Sequence, residues 1–438
     1  MALGLSSVSV SPLSSFPTPL AILAQLGLSS AAVGLSPAYS LARPAALPLI
    51  STCVYVVLSG ARAQMRPRWA SLLGGTSFMF LLQYLDLGLV RQWNWHDRGP
   101  APRNRKSKAK EEEEGKEYGE GNAEEHSIWV RFRWAWSSMF ALRHVNTGYE
   151  ARNTPTFSDS DPRYVPSKRA FLVKESLMTV LCYLLLDLMA QRPPSPNAPQ
   201  LFDKALIPVF CRLGEVTLPQ LRLRALSIIG FGVTFWALIR GYAALAGTLT
   251  VALGLNKPRD WRPPFGSLRL AYSVQNLWGK VWHQNLRSLL TGPAAKITYD
   301  VLRLPHESLL ARISSVLISF MLSGVMHTCA GVAAGMSLKR LNVLHFFITQ
   351  AFGVVMESLI QLAFSPIKGH ENKEKEKIRS PSLIKRIVGY LWVVAFMTWS
   401  GPVWLYPQAS MPAAPGTNSS FLPYSIVKAW KMGNIHAG

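Results

Sequence analysis

Charge is what this sequence has least of. Asp, Glu, Lys and Arg make up 16% of its 438 residues, where a water-soluble domain carries about a quarter. The deficit lies in long apolar runs, so lipid is the solvent for much of the chain. Acidic residues are the scarcer half, 24 against 46 Lys and Arg, which leaves a net charge of +22. Such an excess can mark a nucleic-acid binder. Here, however, the basic residues sit between apolar runs, where membrane proteins collect them in cytoplasmic loops, so no nucleic acid is expected as a partner. Cysteine is scarce too. Cys53, Cys182, Cys211 and Cys329 are scattered and form no C-x-x-C pair. That argues against a zinc site or a disulfide framework; no metal is expected, and the four read as small hydrophobes. No basic n-region opens the chain, so residues 1–15 read as a loose tail and not as a signal peptide. No period of about 20–50 residues recurs, which excludes a repeat array.

What remains is hydrophobic: 49% of the residues, with 14 Trp and 19 Phe suited to two membrane–water interfaces. A spanning helix needs about 20 mostly apolar residues. Candidates fall near 19–38, 45–61, 69–90, 171–190, 225–254, 309–335, 341–364 and 384–406. The first is the weakest, being rich in Ser and Gly, and the fifth is long enough to be tilted or broken. The fold class expected is all-α, a polytopic membrane helix bundle of about eight spans with interfacial or re-entrant helices.

The spans divide the chain into an N-terminal membrane part (1–97), a charged insert (98–127), a membrane core (128–408) and a C-terminal tail (409–438). The insert runs through a basic and then an acidic block with no apolar periodicity, the pattern of a disordered segment. Ile128–Trp136, with Arg between aromatics, fits a segment lying in the headgroup layer. With eight spans, the loops at 39–44, 91–170, 255–308 and 365–383 share one side and hold most of the 46 Lys and Arg. That side is expected to be cytosolic. The tail then lies in the lumen, where Asn418-Ser419-Ser420 is a glycosylation sequon. The endoplasmic reticulum membrane is the expected location.

Two segments carry chemistry. In the basic loop 255–308, a helix over 272–290 would set Asn276, Lys280, His283 and Arg287 at spacings of four, three and four, an amide, an ammonium, an imidazole and a guanidinium on one face. Val274, Trp278, Val281, Trp282 and Leu289 would form its apolar side. An ordinary interfacial helix has the same pattern. The second segment is Ile318–Ala330, with His327 inside an apolar span, where an ionisable group is costly and its default reading is functional. One hydrogen bond to a neighbouring helix would also satisfy a neutral imidazole. Acyl transfer from a thioester to an alcohol needs a base for the hydroxyl proton, donors for the oxyanion and cations for the donor's phosphates. Burial keeps a His neutral, the form a base requires. Glu357, inside the seventh run, could orient a His, line an acceptor tunnel, or serve as a structural partner. Asp187 reads as interfacial, and Arg240 and Arg312 as paired or snorkelling.

Asn276-Leu277-Trp278-Gly279-Lys280-Val281-Trp282-His283-Gln284, followed by Ser323-Gly324-Val325-Met326-His327, resembles the wax synthase-like branch of the membrane-bound O-acyltransferases. The resemblance is greatest to fungal acetyltransferases acting on terpenoids and meroterpenoids. Trp261-Arg262-Pro263-Pro264-Phe265-Gly266 upstream and Trp399-Ser400-Gly401-Pro402 downstream extend it to roughly 140–435, and Val145–Glu150 is loosely similar to a Gly-rich family motif. The resemblance implies that His327 is the catalytic base and that His283 helps form the site. It also implies acetyl-CoA or another acyl-CoA as co-substrate, no bound cofactor, and a hydrophobic alcohol, a terpenoid first of all, as acceptor. Asn276, Lys280 and Arg287 are then expected to hold acyl-CoA, and Ser323 and Glu357 to line the acceptor tunnel. A long-chain alcohol would make the chain a wax-ester synthase. A non-catalytic transporter would show internal symmetry with paired broken helices, and none is visible. A prenyltransferase would need paired Asp-rich motifs, whereas Asp159-Ser160-Asp161 stands alone. A desaturase would need His boxes, which the nine scattered His do not form.

Overall fold

The computed structural model describes residues 16–101, 127–191, 197–364, 382–410 and 421–435. Every apolar run is a helix: α1 (Thr18–Leu35), α2 (Ala42–Gln64), α3 (Pro67–Tyr84, prolonged by a π turn over Leu85–Val90), then α5 (Lys168–Ala190), α6 (Leu218–Ala252), α8 (Leu309–Ala333), α9 (Val343–Ala363) and α10 (Leu383–Ser400). Shorter helices lie between and after them: α4 (Ile128–Phe140), α7 (Arg287–Lys296), α11 (Pro402–Ala409) and α12 (Ile426–Ile435). Among the described residues the only sheet is a two-residue antiparallel pair, β1 (Trp93–Asn94) with β2 (Gly99–Pro100). Residues 98–101, the start of the expected insert, are therefore ordered. The rest of the insert, 102–126, lies outside the described residues, as do 1–15, most of the 365–383 loop and Asn418.

Among the described residues, seven helices are long and apolar enough to cross a membrane: α1, α2, α3 with its π turn, α6, α8, α9 and α10. In lipid no water can satisfy the backbone, so these runs close their hydrogen bonds within themselves. Their starts are marked locally. Pro67 opens α3, where its missing N–H costs nothing, and the Thr217 hydroxyl accepts the Gln220 N–H at the head of α6. The fifth run is unbroken over 35 residues, about 52 Å at the α-helical rise, longer than the roughly 30 Å hydrocarbon core.

The fourth run, α5, is 23 residues long but carries Lys168, Arg169, Lys174, Glu175 and Asp187. The two acids turn inward, while Lys174 is exposed. Glu175 and Asp187 are buried, while Leu177, Leu181, Leu184 and Leu188 form an exposed stripe. An apolar outer face with acids directed into protein is how a charged helix tolerates lipid. Glu175 meets Arg240 of α6 through two hydrogen bonds of 2.6 and 2.9 Å. The expectation that Arg240 is paired holds. Asp187 is 1% exposed. Its carboxylate accepts from the Val427 N–H (2.9 Å) at the head of α12 and from Gln191 Nε2 (3.0 Å).

The chain divides into two compact units. One comprises Met1–Leu142, Ser288–Val301 and Met326–Leu338; the other Arg143–Arg287, Leu302–Val325 and Lys339–Gly438. In the first, α1 packs on α2 and α4 around Leu26, Val33, Ile50, Phe80, Tyr84, Leu87, Trp93, Ala135 and Met139. In α1 the buried Gln25 is satisfied by α3: its Nε2 donates to the Ser77 carbonyl, and Ser77 Oγ donates to Gln25 Oε1. Helix α4 buries Ala135 and Met139 and exposes Ile128 and Trp129. In the second unit, α5 pairs with α6, and α9 and α10 pack around Val274, Val354, Val393 and Phe396.

Candidate active site

The segment 272–290 is not one helix. Val274–Asn276 is α-helical, Leu277–Val281 a π turn, Gln284–Leu286 a 3-10 turn, and α7 begins only at Arg287. The break falls at Trp282 and His283, whose ψ values of 154° and 126° are extended. The cause lies upstream in Trp261–Gly266. Gly266 N donates to the Val281 carbonyl (3.0 Å) and Gln284 N to the Pro264 carbonyl (3.0 Å). Two long-range bonds thus straighten the backbone on either side of His283. Gly266 permits the approach: a Cβ there would overlap the Lys280 carbonyl oxygen. The buried Gln284 amide donates to the Trp278 and Trp282 carbonyls, serving oxygens the interrupted helix leaves over.

The first half of this segment is anchored among α8, α9 and α10. Val274 is fully buried, and Trp278 packs beside Val316, Phe320 and Phe396. Trp278 Nε1 donates to Gln350 Oε1 (3.2 Å), whose Nε2 donates to Ser400 Oγ (2.9 Å). Glu357 explains why the helical turn starts where it does. Its carboxylate accepts from Val274 N (2.7 Å), Gln275 N (2.8 Å) and Trp392 Nε1 (2.7 Å). A negative charge on the free N–H groups at a helix start is favourable. The partners of this buried acid are thus two backbone amides and an indole.

His283 stacks edge-on to Phe265, with ring centres 5.9 Å apart, and lies 5.8 Å from the Trp282 ring. Its Nδ1 is buried and has no hydrogen-bond partner among the described residues. Burial, and then the positive charge of Arg143, push the imidazole down from 6.5 to about 4. It is therefore neutral at physiological pH. Arg143 donates from Nη1 to the Pro263 carbonyl (2.7 Å) and from Nη2 to the Arg262 carbonyl (2.6 Å). Burial lowers its own pKa to about 10, with Glu150 raising it and Arg262 lowering it further, which leaves it charged. Around this grip, Arg262 pairs with Glu150 (3.1 Å), Glu150 accepts the Asn146 N–H (2.9 Å), and Asn146 Nδ2 reaches Asp260 (2.9 Å). The Val145–Glu150 motif is thus the brace of the Trp261–Gly266 loop.

The four polar residues expected on one helical face are dispersed. Asn276 is half-buried, its N–H held by Ser273 Oγ (3.0 Å). Arg287 folds back, donating to the Gly279 carbonyl (2.7 Å) and Gln284 Oε1 (3.2 Å); burial and then Arg152 lower its pKa. Lys280 is exposed. It lines a cavity of about 470 Å³ together with Asn153, Thr154, Thr156, Phe265 and Gly266. Phe265 is therefore shared, facing the cavity and touching His283.

His327 belongs to the other compact unit. It is half-buried in α8, one turn beyond the buried Ser323. Nearby residues of α8 approach α3 closely: a Cβ on Gly74 would overlap Ala333 and lie 3.1 Å from the Cys329 carbonyl oxygen. Sequence reasoning missed Arg143. A lone Arg in a basic loop carries no local signal for a contact 120 residues away.

Together the helices and the two histidine-bearing segments define a polytopic α-helical membrane protein with a polar, partly buried loop system. Residues 261–349, which include both His283 and His327, match the family described as "Membrane bound O-acyl transferase family". The chain is 29% identical over 380 residues to the acetyltransferase aurG of Calcarisporium arbuscula, covering 85% of this chain and 88% of that protein. It is 28% identical over 346 residues to the acetyltransferase fsoF of Humicola fuscoatra, covering 76% and 82%. The chain is thus similar, over residues 261–349, to the membrane bound O-acyl transferase family.

Proposed function

We propose that this protein transfers an acetyl group from acetyl-CoA to a hydroxyl of a hydrophobic acceptor, a terpenoid, at the endoplasmic reticulum membrane. The observation that carries this reading is that the family match, 261–349, includes a buried neutral imidazole and a second imidazole inside an apolar helix. Both relatives named above are acetyltransferases, which supports acetyl as the group transferred. In this reading His327 takes the acceptor's hydroxyl proton as the oxygen attacks the thioester carbonyl carbon. The C–S bond then breaks, and the proton passes to the departing CoA thiolate. His283, neutral at the reaction pH, helps form the site. Lys280, on the rim of the 470 Å³ cavity, supplies a cation for a phosphate of the donor. Arg287 adds charge while its Nη1 stays on the Gly279 carbonyl, and Asn276, Ser323 and Glu357 support the donor segment and the acceptor path.

The test is to incubate membranes containing the protein with labelled acetyl-CoA and a lipid extract of the host, and to identify the labelled ester. A labelled terpenoid ester is expected. His327→Ala should keep the protein in the membrane and lose about 10²–10⁴-fold in ester formation, the usual range for general-base assistance. A folded His327→Ala protein with near-normal turnover would remove His327 from the mechanism, and a labelled wax ester would replace the acceptor class.

A further inference from the structure

We propose that Arg143 is a positioning residue for His283, gripping the Arg262 and Pro263 carbonyls and, through them, the loop on which the imidazole is seated. The inference rests on the reading that His283 serves the acyl transfer.

The chain of contacts is short and complete. One guanidinium holds two successive carbonyl oxygens at 2.6 and 2.7 Å. The next carbonyl along, that of Pro264, accepts the N–H of Gln284, the residue after His283. The next side chain, Phe265, is the ring against His283. Gly266 then closes the loop onto Val281. Arg143 therefore acts on His283 from two sides, on the backbone bond beside it and on the aromatic wall against it. The planar fork meets the two adjacent carbonyls with two separate nitrogens, whereas an ammonium presents its three donors from one.

The surrounding charges make Arg143 the dominant one felt by the imidazole. Arg262 is neutralised by Glu150, whose second oxygen is occupied by the Asn146 N–H. Asp260 faces Asn146 and the Lys257 N–H. Arg287 is tied to the Gly279 carbonyl and Lys280 points to the exposed cavity. The Arg143 hydrogen bonds go to carbonyls and none to a carboxylate, so its charge is left to act across the loop. A buried imidazole beside a cation stays neutral, with one nitrogen able to accept a proton or a hydrogen bond.

Two variants of the full-length protein in lipid nanodiscs separate grip from charge: Arg143→Lys retains the charge without the fork, and Arg143→Met removes both. The first readout is deuterium exchange at the His283 C2 position against pH, followed by peptide mass spectrometry, which reports the titration of that one imidazole without any substrate. The second is transfer of label from acetyl-CoA to the host lipid extract. Arg143→Met is expected to move the His283 midpoint upward from about 4 toward 6.5, and Arg143→Lys to leave it near the wild-type value. Both should lose transfer by about 10²-fold, the cost of a displacement of roughly 1 Å at a reacting group. An unchanged midpoint in Arg143→Met, or a wild-type rate in Arg143→Lys, would overturn the proposal. Failure of the underlying reading looks different: His283→Ala would then retain full transfer, whatever the exchange midpoints in the Arg143 variants.

Discussion

Gly266→Ala is the sharpest perturbation available at this site, because it adds one methyl group where backbone meets backbone. An ideal Cβ at Gly266 overlaps the Lys280 carbonyl oxygen and lies 3.2 Å from the Lys280 carbonyl carbon. No flexible side-chain tip is there to yield, so the loop itself must retreat, by about 1 Å to reach ordinary contact. That retreat stretches the 3.0 Å bond from Gly266 N to the Val281 carbonyl, worth about 1 kcal/mol, and carries Phe265 away from His283. The stability cost is modest against a polytopic bundle, whereas a shift of about 1 Å at the site costs roughly 10²-fold in rate. The expected outcome is a protein of near-wild-type thermal stability in nanodiscs whose acetyl transfer falls by about two orders of magnitude. Gly148→Ala is the matched control, since a Cβ there meets nothing within 4 Å, and it should behave as wild type. Wild-type transfer in a folded Gly266→Ala protein would show that the seating of this loop does not govern the reaction.

Three further outcomes follow from other parts of the molecule. Glu175→Ala leaves Arg240 charged, buried and unpaired, and should destabilise the protein by about 3–5 kcal/mol, read as a lowered thermal midpoint; combining Glu175→Leu with Arg240→Met should recover most of the loss, and no recovery would refute an electrostatic cause. His283 titrates at about 4 when folded against 6.5 when free, so between those values the unfolded chain binds more protons than the folded one. The stability contributed by the neutral imidazole is thus present above pH 6.5 and drains as the pH falls toward 4. Thermal midpoints taken across that window should fall more steeply for wild type than for His283→Gln, and parallel profiles would contradict the burial of His283. In microsomes, protease tags in the 365–383 loop should be cut from outside while the tail bearing Asn418 is protected and glycosylated; a cut tail would invert the orientation drawn from the basic loops.

The helices were readable in the sequence because lipid imposes a long and uniform requirement. A run of the right length has to close its backbone bonds internally whatever its neighbours are, and all eight runs do so. Less was readable where a partner far along the chain decides the outcome. Asp187, near the end of its run, caps a helix that begins 239 residues later, at Ile426. The fifth run, long enough to be tilted or broken, is a single helix of 35 residues.

The site follows the same division. That Trp261–Gly266 and Asn276–Gln284 matter was legible from residue types: two prolines before an aromatic and a glycine, and an imidazole among indoles and amides. Their geometry was not legible, because helical periodicity places Lys280, His283 and Arg287 on one face while the backbone between them is pulled straight by Pro264 and Gly266. Helical propensity is worth a few tenths of a kcal/mol per residue. A pair of long-range backbone hydrogen bonds, each worth about 1 kcal/mol, together with the buried Gln284 amide, outweighs it over these few residues. The same break that disperses the cationic face gives the separate groups separate surroundings. Lys280 is left to the exposed cavity, Arg287 is turned onto a carbonyl, and His283 is enclosed between Phe265 and Trp282. A continuous helix would have exposed the imidazole beside two unscreened cations, and it is the interruption that lets one short segment hold a solvated cation and a dry, neutral histidine three residues apart.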